Sequence, residues 1–89
     1  MVKAVMTSRA LVESVITQGV NTQQVVADIS FSIPNFCVPV YLTIDNAPLS
    51  ILPNEKERVL VKYKIVNNKV EVLGYKRPKL GTEYCTVRL

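Results

Sequence analysis

One stretch of the chain, ERVLVKYKIVNNKVEVLGYKRPK from Glu57 to Lys79, leaves few options for folding. Two runs rich in Val, Ile and Tyr flank Asn67-Asn68, and asparagine tolerates the positive φ that a two-residue primed turn demands. The segment therefore reads as a β-hairpin closed by those two residues. Turn geometry fixes the register. Val66 should face Lys69, Ile65 should face Val70, Tyr63 should face Val72, and Val61 should face Gly74. One face then holds Val59, Val61, Tyr63, Ile65, Val70 and Val72 and is expected to point at the core. The other holds Leu60, Lys62, Lys64, Lys69, Glu71, Leu73 and Tyr75, and the basic run Lys76-Arg77-Pro78-Lys79 leaves its end.

Charge is concentrated in the same region. The chain carries +4 overall, but residues 55–89 hold nine basic and four acidic side chains while residues 1–54 hold two basic and three acidic. From Arg58 to Lys79 there are seven basic residues against one acid. Such asymmetry points to a polyanionic partner. The plainer reading is a solvated sheet face, since lysine also protects exposed strands from aggregation.

Eighty-nine residues, 48% of them apolar, suit one domain spanning 1–89 with a mostly aliphatic, Val-rich core. No membrane segment is expected: the longest charge-free stretch, Ile29 to Ile44, is broken by Pro34, Asn35 and Pro39. The short apolar patch after Lys3 does not read as a signal peptide, so the expected location is cytoplasmic. Cys37 and Cys85, without any histidine, cannot make an ordinary four-ligand zinc site. They read as two buried, unbridged thiols acting as small hydrophobes, with a disulfide as the second choice.

The rest of the chain divides into short elements. Met1 to Met6 suggests a first strand. Residues 9–18 suggest a helix, because Ser8 is a good N-cap, Leu11/Val15 and Val12/Ile16 are spaced by four, and Gly19 suits a C-terminal stop. The β-branched Val12, Val15, Ile16 and Thr17 argue for a strand instead. Val25 to Ile33 and Val38 to Ile44 alternate polar and apolar residues as half-buried strands do, and Pro39 places the second at a sheet edge or at its own start. Asp45 to Asn54 reads as a loop whose Leu49, Ile51 and Leu52 either cover the core or dock on a partner. A last strand near Thr82–Arg88 should turn Cys85, Val87 and Leu89 inward.

The expected fold is α+β: one N-terminal helix on a mainly antiparallel sheet of four to five strands. The alternative is a small all-β barrel of the oligonucleotide-binding type.

Catalysis finds little support. The chain has no histidine, only three glycines, and seven acids scattered outside any catalytic spacing. No enzyme activity, cofactor or metal is expected.

Nucleic-acid binding fits the charge better. Phosphates need a track of cations, supplied by Arg58, Lys62, Lys64, Lys69, Lys76, Arg77 and Lys79, with Tyr75 placed to stack on a base. DNA and RNA are not distinguished. The rival is a protein-interaction or structural module, for instance a homodimer, joined through Leu49, Ile51 and Leu52. No stretch carries a family signature.

Overall fold

Alternation sets the strands, and three interruptions of it set their curvature. The computed structural model describes residues 5–19 and 24–85. Six strands form one antiparallel sheet: β1 (Met6–Gln18), β2 (Gln24–Ser32), β3 (Val40–Pro48), β4 (Arg58–Val66), β5 (Lys69–Arg77) and β6 (Thr82–Cys85). Their spatial order is β3-β2-β1-β4-β5-β6. The sheet curls into a half-barrel around its apolar face, bringing β3 close to β5 although the two are not ladder neighbours.

The fold is therefore all-β, not α+β. Among the described residues the only helical element is a single 3-10 turn, Leu49–Ile51. The expected helix over 9–18 is the long strand β1, whose first half pairs with β4 and second half with β2. Nor does the sheet match a closed five-stranded barrel, since it has six strands and stops half-way round.

The spacing that suggested a helix has a specific origin. Val12 pairs with Phe31 and Ser14 with Ser30, so Glu13 is an extra residue, a β-bulge. The bulge puts Val12 and Val15 on the core face, three apart, and sends Leu11 and Ile16 to the outer face. Apolar residues spaced by three and four thus arise in a strand that changes face. Lys56 and Glu57 complete the backbone pairing at Val12, through Lys56 N–H to Val12 C=O at 2.7 Å and Val12 N–H to Glu57 C=O at 2.9 Å. A second extra residue lies at Asp45-Asn46 in β3, since Val25 pairs with Ala47 and Ala27 with Ile44. The third, Leu73 in β5, bears directly on the candidate site.

Asn67 and Asn68 have φ of 52° and 65°, as a primed hairpin turn requires. The pairs next to it match the sequence reading: Val66 with Lys69, Ile65 with Val70, Tyr63 with Val72. Beyond them Leu73 intervenes, so Gly74 faces Lys62, not Val61, and Val61 faces Tyr75. Bulges bend a strand and increase its twist, which explains how three of them allow a sheet of long strands to wrap its own core.

Phe31, Tyr75, Ile29, Ile33, Val12 and Val61 are the largest fully buried side chains. Tyr75 stands between Phe31 and Tyr84, with ring centroids 5.9 and 6.1 Å away. Tyr63, also buried, meets Phe36 edge-on at 5.7 Å.

Several smaller expectations are corrected. In β6 it is Tyr84 that packs on the core, while Glu83 lies on the outer face with Lys62 and Cys85 falls on Glu83's side. Val87 and Leu89, like Met1 to Ala4, lie outside the described residues. Cys37 is an exposed free thiol, not a buried one, and no bridge joins it to Cys85 in this structure. Ile65, expected on the core face, is 50% exposed near the hairpin tip. Pro39 immediately precedes β3, and β3 is an edge strand.

Candidate nucleic-acid interface

Residues directly opposite in adjacent strands share a face, so the pairing registers assemble the site. Arg9 faces Leu60, Leu60 faces Lys76, and Lys76 faces Glu83, one row across four strands. The next rows place Thr7 beside Lys62 and Leu11 beside Arg58. Together these form the outer face of β1, β4, β5 and β6, turned away from the core.

The candidate residues divide into three groups. Lys62 and Lys64 lie on the outer face and are engaged there, Lys62 Nζ at 2.8 Å from Glu83 and Lys64 Nζ at 3.6 Å from Glu71. The hydrogen bond to Glu83, reinforced by its charge, holds the Lys62 ammonium above its usual pKa; the same contact holds the Glu83 carboxyl below its own. Arg58, Lys69, Lys76 and Lys79 are exposed, and none of them makes an ion pair within 4 Å among the described residues. At longer range Lys76 still lowers the pKa of Glu83, and Lys79 that of Glu57.

Tyr75 and Arg77 form the third group and face inward. The Leu73 bulge reverses the alternation, so both side chains belong to the face of Val61. Tyr75 is fully buried, donates its hydroxyl to the Ile51 carbonyl at 2.7 Å, and is not available to stack on a base. Burial also pushes its phenol up to about 12. Arg77 is 6% exposed and holds Glu57 through Nε at 2.7 Å and Nη2 at 2.8 Å, with Nη1 on the Leu52 carbonyl at 2.9 Å. Those bonds tie the 49–57 connection to β5. They also explain how Leu52 becomes buried and Ile51 packs on the core, leaving only Leu49 of the three apolar loop residues exposed.

One cation was not anticipated. Arg9 is exposed on β1 and, with Arg58 and Lys79, borders a shallow groove of about 560 Å³. Leu11, Leu60, Pro34 and Pro78 supply its apolar lining. Assigning residues 9–18 to a helix removed Arg9 from the sheet; a strand in that position, paired with β4, is the signal that would have placed it beside Leu60.

The rest of the outer face differs in character. The second half of β1 with β2 and β3 presents Ser14, Ile16, Asp28, Ser30, Tyr41 and Thr43, joined by hydrogen bonds from Thr43 to Asp28 and between Ser14 and Ser30, both at 2.7 Å. No lysine or arginine lies there among the described residues. Positive charge thus occupies one half of the outer surface. Comparison with protein-family models, curated proteins and solved structures finds no match for this chain.

Proposed function

We propose that the protein binds nucleic acid without catalysis, contacting phosphates through Arg9, Arg58, Lys76 and Lys79. Lys62, Lys64 and Lys69 flank that set. The observation that carries the reading is the gathering, on one half of the outer face, of exposed cations that lack ion-pair partners among the described residues. Cations already held by carboxylates release fewer counterions from a polyanion, whereas unpaired ones neutralise phosphates directly.

Four phosphate contacts imply an affinity that falls roughly fiftyfold between about 50 and 200 mM salt for a single strand, and more for a duplex. Fluorescence anisotropy with a labelled strand and a labelled duplex reads this directly. Replacing Arg9 and Arg58 together by Ala should flatten the salt slope by about 1.4 on single strands. A Lys62→Ala/Lys64→Ala variant should change it less. No binding at low salt, or binding indifferent to the two arginines, overturns the proposal.

A protein-interaction module built on Leu49, Ile51 and Leu52 has less support, because Leu52 is buried and Ile51 packs on the core.

A further inference from the structure

We propose that the groove bordered by Arg9, Arg58 and Lys79 receives an unpaired base, so that the protein favours single strands over duplex. The inference rests on the nucleic-acid reading above and specifies which part of the polymer the groove contacts. Leu11, Leu60, Pro34 and Pro78 carry no side-chain donor or acceptor, so the lining is mainly apolar, with the Ser32 hydroxyl as its one uncharged polar side chain. At about 560 Å³ the groove falls within the size range of small-molecule sites, ample for one base with its sugar.

Its border has the complementary property. Arg9 and Arg58 enter from adjacent strands and Lys79 from the turn after β5, so three separate segments bring cations to the apolar lining. A nucleotide in a single strand pairs an apolar ring face with an anion on either side, and that is the chemistry this surface complements. In a duplex the ring faces are stacked within the helix, and phosphates would lie against leucine and proline.

The test compares three labelled probes of equal length on the native chain: oligothymidylate, the same backbone with every base removed, and a duplex. Removing roughly 55 Å² of apolar contact corresponds to about tenfold in affinity. The expected result is therefore a tenfold weaker abasic strand with an unchanged salt slope. Leu60→Ser, a half-buried outer-face position, should weaken oligothymidylate and leave the abasic strand unaffected. Equal binding of the two strands overturns the groove proposal and leaves the phosphate reading standing. Loss of base dependence is also required in the Leu60→Ser variant; if that dependence persists, the base sits elsewhere and the proposal fails. Binding of none of the three probes removes both readings.

Discussion

Replacing Glu57 by Ala should cost more stability than removing any exposed charge in this chain. The substitution leaves the Arg77 guanidinium, only 6% exposed, without its carboxylate. Breaking a buried ion pair from one side costs about 3–5 kcal/mol, because the remaining charge stays out of water uncompensated. The Glu57 side chain is itself 18% exposed, which lets solvent relieve part of that penalty and favours the lower end, about 3 kcal/mol. A chain of 89 residues has roughly 4–13 kcal/mol to lose.

Urea unfolding followed by circular dichroism is the assay. With a slope of about 1.5 kcal/mol per molar, the midpoint should fall by about 2 M. Adding Arg77→Met should recover much of the loss, since the stranded charge is then gone. Acid dependence gives an independent check. Arg77, through its hydrogen bonds first, holds the Glu57 carboxyl below its usual pKa. Its contribution is therefore present above the ordinary glutamate range and lost as pH falls through the lowered value. The Glu57→Ala variant should lack that part of the acid sensitivity. A midpoint shift under about 0.7 M would place the pair among surface salt bridges, worth no more than about 1 kcal/mol, and refute the argument.

Two further outcomes follow from β5. A Cβ at Gly74 would collide with the backbone of Tyr84 and Cys85, so Gly74→Ala should destabilise by about 1–3 kcal/mol and loosen β6, read as faster amide exchange in residues 82–85. Tyr75, whose phenol is raised to about 12, contributes stability that is intact below the ordinary tyrosine value and lost between about pH 10 and 12. Tyr75→Phe should remove that alkaline loss while costing about 1 kcal/mol at neutral pH through the lost bond to Ile51, and an unchanged alkaline profile would contradict the burial argument.

The sequence alone determined what depends on near neighbours. Alternation from Val25 to Ile33 and from Val38 to Ile44 specified strands, because side chains two apart share a face whatever lies beyond them. Asn67-Asn68 specified the hairpin turn and the pairs beside it, because few other residues adopt positive φ cheaply. The concentration of charge in the second half of the chain was equally plain.

Only the tertiary structure decided which face each later residue joins. An extra residue is defined by the partner strand it bulges from; within VEVLGYKR only Gly74 hints at a bulge, and it does not single out Leu73 as the extra residue. Its bulge moved Tyr75 and Arg77 from the expected outer track into the interior, where Glu57 and the Leu52 carbonyl, both far away in sequence, hold the guanidinium. The Glu13 bulge likewise gave β1 the apolar spacing of a helix, and pairing with β2 and β4 on either side settled it as a strand. Arg9 joined Arg58 through the same long-range pairing. Register between distant segments is set by burial and ladder hydrogen bonds summed over the whole sheet, and no local pattern contains that sum.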